Sequence, residues 1–125
     1  MKIIEAINTV DKNVPNYYTT KEKVEWLKRL DAKLIVEIYS KFEGNEHKIE
    51  DLDSYTEDNV REQELLAPIP YDIIYILWLE AMIHKNNNEI AKYNNAISLM
   101  AAEYKSFEDE TARHHTYKQP PRYRW

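Results

Sequence analysis

The sequence has no cysteine and a single glycine, Gly44, and its longest unbroken apolar run, Ile73 to Leu79, spans seven residues. Each shortage excludes something. Without cysteine there are no disulfides, thiolate zinc sites, iron–sulfur clusters or thiol nucleophiles. One glycine rules out folds that need several for tight turns or phosphate cradles. Dinucleotide-binding folds, P-loops, propellers and most hairpin-rich sandwiches fall in that group. A seven-residue apolar run is far short of the roughly 20 residues that cross a bilayer. Near the start, Glu5 interrupts the continuous apolar stretch that a secretory signal requires. Positive charge is also in the minority. Lys and Arg number 17 against 22 Asp and Glu, and the net charge of -5 disfavours non-specific polyanion binding by the chain as a whole.

What is present reads as helix. The 125 residues suffice for one domain with a real core. Ile3, Ile4, Ile7 and Val10 share one helical face, and Asp11-Lys12-Asn13 and Pro15 end that segment. Thr19-x-x-Glu22 is a capping-box pattern. Val24, Leu27, Leu30, Leu34, Ile35, Ile38 and Phe42 then follow a helical spacing that is expected to stop near Gly44. Residues 45–67 carry Glu46, Glu50, Asp51, Asp53, Glu57, Asp58, Glu62 and Glu64 against only Lys48 and Arg61, without a lasting period. They read as a long acidic loop, with room for a helical turn around Glu57–Glu64. A loop of that length inside a compact domain suggests an interaction role.

Pro68-Ile69-Pro70 predicts an extended approach to the most apolar helix, which begins at Asp72 and is expected to lie at the centre. From Tyr75 a stripe runs through Leu79, Met82, Asn86, Ile90, Tyr93, Ile97, Met100, Tyr104 and Phe107, with Trp78 beside it. One long helix or two fit that stripe. Three consecutive asparagines at 86–88 are poor helix interior and favour two, with Asn86 capping the second and Glu89 completing the box. Asn94-Asn95 beside Tyr93 suggest hydrogen bonding between helices. The last helix is expected to end near Ala112. Beyond it, Arg113, His114, Tyr117, Lys118, Pro120, Pro121, Arg122, Tyr123, Arg124 and Trp125 form a basic–aromatic stretch with no acid, read as an extended arm. The expectation is therefore an all-α fold, a small helical bundle over 1–112 containing the acidic loop 45–67, followed by the arm 113–125.

Candidate chemistry is thin. No serine sits in a nucleophile-elbow setting. Glu80 and His84 stand four apart on the apolar helix, a spacing that metal sites use, but no second such pair follows, and a hydrogen-bonded pair explains it better. His114-His115 could bind metal, and Pro120-Pro121-Arg122-Tyr123 matches a short WW-domain ligand pattern. Cations among rings in the arm suit nucleic acid or, better, protein docking, where Arg, Tyr and Trp are favoured anchors. Tyr17 and Tyr18, like Tyr117 and Tyr123, lie outside strong helices and read as contact residues. No cofactor or metal is expected.

Two stretches resemble a known family. They are Leu65-Leu66-Ala67-Pro68-Ile69-Pro70-Tyr71-Asp72-Ile73-Ile74-Tyr75-Ile76-Leu77-Trp78-Leu79-Glu80-Ala81 with Glu89-Ile90-Ala91-Lys92-Tyr93-Asn94-Asn95-Ala96, and Ile3–Asn8 with Pro15-Asn16, Tyr18, Lys23, Trp26-Leu27 and Leu30-Asp31. The pattern is similar to small helical head-tail connector (adaptor) proteins of tailed bacteriophages, over about Ile3–Leu34 and Leu65–Arg113. The resemblance implies a non-enzymatic virion subunit of the neck. Such subunits form a homo-oligomeric ring, typically dodecameric, below the portal protein, with a terminal arm gripping the portal. A loop meets the stopper or tail-completion protein, and DNA passes only as non-specific cargo, with no membrane involved. The acidic loop would face the channel, a neighbouring subunit or the next ring. A generic helical adaptor binding a host protein or nucleic acid through the basic tail remains the alternative.

Overall fold

The computed structural model describes residues 1–114, which are mostly helical and contain no β-strand. Helix α1 spans Ile3–Asn13 and buries Ile3, Ala6, Ile7 and Val10. The link to the next helix is held by Asn16, whose Oδ1 accepts from the Tyr18 N–H at 3.2 Å and whose Nδ2 donates to Asp11 at 3.0 Å. Helix α2 spans Thr20–Glu37. Thr19 Oγ1 accepts from the Glu22 N–H at 3.1 Å, as the capping pattern requires. The Glu22 carboxylate, however, takes the Thr19 hydroxyl at 3.2 Å instead of a backbone N–H.

Helix α2 stops at Glu37, well before Gly44, and a 3-10 turn at Tyr39–Lys41 follows. Ile35, Val36 and Ile38 are β-branched and lose rotamer freedom in a helix. The Ser40 hydroxyl donates to the Val36 carbonyl at 2.7 Å, taking up one of the acceptors left open at the helix end. The tighter turn brings Phe42 into the core. Gly44 then adopts φ +74°, the one left-handed position filled by glycine.

The acidic stretch is ordered within the chain. Two 3-10 helices, Ile49–Ser54 and Glu57–Asn59, lie in it, and Leu52, Tyr55, Val60 and Leu65 sink into the core. It also closes the start of α1, whose first N–H groups have no intrahelical acceptors. Ile3 N–H reaches the Gln63 carbonyl and Ile4 N–H the Val60 carbonyl, each at 3.0 Å, and Leu65 N–H reaches Met1 at 2.9 Å. The sparse apolar residues of this stretch therefore act as anchors, although no helical period announces them.

Residues 69–72 turn where an extended approach was expected, with a cis Ile69–Pro70 peptide and Tyr71 N–H on the Pro68 carbonyl at 2.8 Å. Helix α3, Ile73–Asn86, packs against α1, α2 and the last helix and is the centre of the fold. Helix α4 spans Ile90–His114 and forms an antiparallel hairpin with α3. The asparagines make the corner. Asn88 has φ +59°, its N–H reaches the Lys85 carbonyl at 3.2 Å, and the Glu89 N–H reaches His84 at 2.9 Å. These two bonds are the Schellman pair that satisfies the final carbonyls of a helix. Asn86 is the last residue of α3 and its side chain bonds back to the Met82 carbonyl at 2.8 Å, so it does not cap the start of α4.

Asn tolerates the left-handed region better than any residue except glycine. Asn88→Ala is expected to lower unfolding free energy in urea by about 1 kcal/mol. Asn88→Gly is expected to stay within about 0.5 kcal/mol of the parent. Equal losses for the two would show that backbone conformation is not what selects Asn88.

Candidate functional site

The densest polar constellation is internal. Asp31 projects from the apolar side of α2, between Leu27, Leu30, Leu34 and Ile35, and is fully buried. Its Oδ1 accepts the Tyr75 hydroxyl at 2.6 Å; its Oδ2 accepts the Tyr55 hydroxyl and the Leu66 N–H, the latter at 3.2 Å. Tyr75 in turn accepts the Ala67 N–H at 2.7 Å, and Tyr39 donates to the Leu66 carbonyl at 3.3 Å. One carboxylate thus joins α2, α3 and both the middle and the end of the acidic stretch. Burial raises its pKa from 3.8 to about 6, outweighing the hydroxyl and N–H donors that pull it down. The same burial, with the Asp31 charge nearby, pushes the Tyr39 phenol up to about 12 and raises Tyr55 and Tyr75 as well. Walled in by these rings, Asp31 is a structural carboxylate.

No motif in the sequence marks Asp31 as a site. Its signal was an acid in the middle of the apolar face of α2, where an unpaired charge would be costly. Lys23 is a second buried charge, its side chain 5% exposed, and it pairs at 2.6 Å with Asp11 at the surface.

The predicted site residues fall into three places. Glu46, Glu50, Asp51, Asp53, Glu57 and Asp58 are all exposed, on the outside of a stretch whose Leu52, Tyr55 and Val60 are buried. Asp51 also accepts the Lys48 N–H at 3.0 Å. Of the packing set, Tyr75, Leu79, Met82 and Met100 are buried, while Trp78, Tyr93, Ile97 and Tyr104 are half-buried. Trp78 Nε1 donates to the Trp26 carbonyl at 2.8 Å and Tyr104 to Glu37 at 2.8 Å, which ties α3 and α4 to α2.

At the third place, α4 continues through Arg113 and His114, so the arm does not begin at 113. Glu110 holds both, Arg113 at 3.3 Å and His114 at 2.7 Å, at the helical spacings that favour such pairs. Tyr39, Leu66, Pro68, Tyr71, Phe107 and Thr111 line a largely apolar hollow of about 340 Å³ together with Glu110 and His114. Tyr117, Lys118, Pro120, Pro121, Arg122, Tyr123, Arg124 and Trp125 lie outside the described residues.

Three expectations need correction. His84 does not pair with Glu80; it turns to Glu89 at 3.2 Å across the α3–α4 corner, because the Schellman turn brings Glu89 beside the end of α3. Asn94 and Asn95 are exposed, since the inward positions of α4 are Ala96, Met100, Phe107 and Thr111. Tyr18 is a strut, its hydroxyl on Asn87 at 2.6 Å and its ring edge-on to Trp26, whereas Tyr17 is fully exposed. Among the described residues no group of three or more His, Asp or Glu could hold a metal ion, and no helix is long and apolar enough to cross a membrane. No protein-family model, curated protein or solved structure matches the chain.

The Asp31 shift has a signed consequence. Its folded pKa lies above the unfolded value, so the folded state binds the proton more tightly. Its contribution to stability therefore falls as pH rises from about 4 to about 6, by about 3 kcal/mol, and is flat above. Asp31→Asn is expected to remove that slope in pH-dependent urea unfolding. Asp31→Ala, which strands three donors, should cost about 3 kcal/mol or more at pH 7. A wild-type-like slope in Asp31→Asn would contradict the assignment.

Proposed function

We propose that the chain is a structural head-tail connector (adaptor) subunit of a tailed bacteriophage, assembling as a ring below the portal and joining the DNA-filled capsid to the stopper or tail-completion protein. The observation that carries this reading is the mounting of the acidic stretch. Six exposed carboxylates ride on a backbone fixed by Leu52, Tyr55, Val60 and the Asp31 hydrogen bonds. A charged surface held rigid before contact loses less entropy on docking than a mobile loop. The polar interior points the same way, because the group with the most telling pKa is consumed in holding the fold and faces no cleft. Among the described residues every buried side-chain nitrogen and oxygen has a hydrogen-bond partner. Function then resides on surfaces, and the surfaces are charged.

In this reading the subunit needs no cofactor and catalyses no reaction. The basic–aromatic residues 115–125 are the portal-gripping arm. In sequence they follow on His114, the last residue of α4. DNA crosses the ring as cargo and is not read.

The arm assignment is tested by removing residues 115–125. The truncated chain is expected to keep its helical circular dichroism and a stability within about 0.5 kcal/mol of the parent. Its capture of the portal protein encoded with it should fall by about tenfold or more. Undiminished capture would refute the arm, and failure of the full chain to bind portal would refute the connector reading.

A further inference from the structure

A second groove, of about 400 Å³, lies between α2 and the α3–α4 hairpin. Arg29 and Lys33 of α2 and Lys85 of α3 line it together with Trp26, Trp78 and Tyr93, and no carboxylate does. Arg29 and Lys85 are exposed, and neither enters a salt bridge among the described residues. Lys33 is partly engaged, 3.9 Å from Glu37 and 5.5 Å above the Tyr104 ring. The groove is thus cationic, walled by aromatic rings and open to solvent.

The position of this groove matters as much as its charge. At 3.6 residues per turn, Arg29 and Lys33 lie about 160° and Trp26 about 140° around α2 from Asp31. Asp31 is where the acidic stretch is fastened. A chain therefore fastens its acidic stretch on the side of α2 away from the cationic groove, and no residue of 46–62 lines that groove. We propose that the Arg29–Lys33–Lys85 groove receives the acidic stretch 46–62 of a second copy of this chain. Different patches meet, so the contact is head-to-tail, and repetition closes into a ring when the rotation allows. The inference rests on the assembly reading above and names the surfaces that reading leaves open.

Charge complementarity selects this occupant. The partner surface exists on every copy, it is rigid, and its sign is opposite. A nucleic acid is the competing polyanion, and the experiment below separates the two occupants.

Mixing ordinary chain with an equal amount of 15N-labelled chain and treating with a carbodiimide, which joins amines directly to carboxylates, tests the contact. Mass spectrometry should find Lys33 or Lys85 linked to residues of 46–62 in peptide pairs that combine one light and one heavy partner. Arg29→Glu should lower their yield about tenfold with circular dichroism unchanged. Absence of mixed pairs would overturn the proposal. So would retention of a single-stranded oligonucleotide by the parent chain that Arg29→Glu abolishes. Mixed pairs in a chain that fails to bind portal would uphold the contact while refuting the connector reading.

Discussion

A single buried carboxylate decides how the chain closes. Asp31 cannot sit among Leu27, Leu30, Leu34 and Ile35 without donors, and the sequence supplies three from distant places: Tyr55, Leu66 and Tyr75. One bond holds α3 and two hold the acidic stretch, so satisfying one charge orients α3 and draws residues 55–66 against α2. Desolvation still wins over those bonds, which is why the carboxyl holds its proton to about pH 6. The interaction specifies arrangement more than it adds stability, as buried ionisable groups can do. With α3 placed by Tyr75, the Schellman corner at Asn88 folds α4 back along it.

Much of this was readable in advance where periodicity and capping rules apply. The apolar faces of α1, α2 and α3, the Thr19 cap and the break at the asparagines follow from local sequence. What escaped were features set by contacts between distant residues. The early end of α2 depends on Phe42 finding the core and Ser40 taking a carbonyl. The order of residues 45–67 depends on four apolar anchors with no period among them, and on the first turn of α1 needing acceptors. His84 meets Glu89 only because the corner is a Schellman turn, a geometry that spacing within α3 could not reveal. Asp31 itself was visible as an acid in an apolar face, but its partners lie 24, 35 and 44 residues away.

The functional surfaces follow from the same division of labour. With Asp31 and Lys23 held inside, the acids of residues 46–58 face outward and Arg29, Lys33 and Lys85 gather on the groove between α2 and the α3–α4 hairpin. Such a body suits repeated contact with copies of itself, and the basic residues after His114 suit a partner of a different kind. Assembly, not chemistry, is the reading that uses both.

The account turns on residues 55–67 being part of the cooperative core and not a loop that docks later. Native-state hydrogen exchange of the Leu66 and Ala67 amides tests this directly, since their acceptors are the Asp31 carboxylate and the Tyr75 hydroxyl. Both amides are expected to exchange only through global unfolding, with the same free energy as the slowest amides of α2 and α3. Exchange at the rate of an exposed turn, with α2 and α3 still protected, would contradict it.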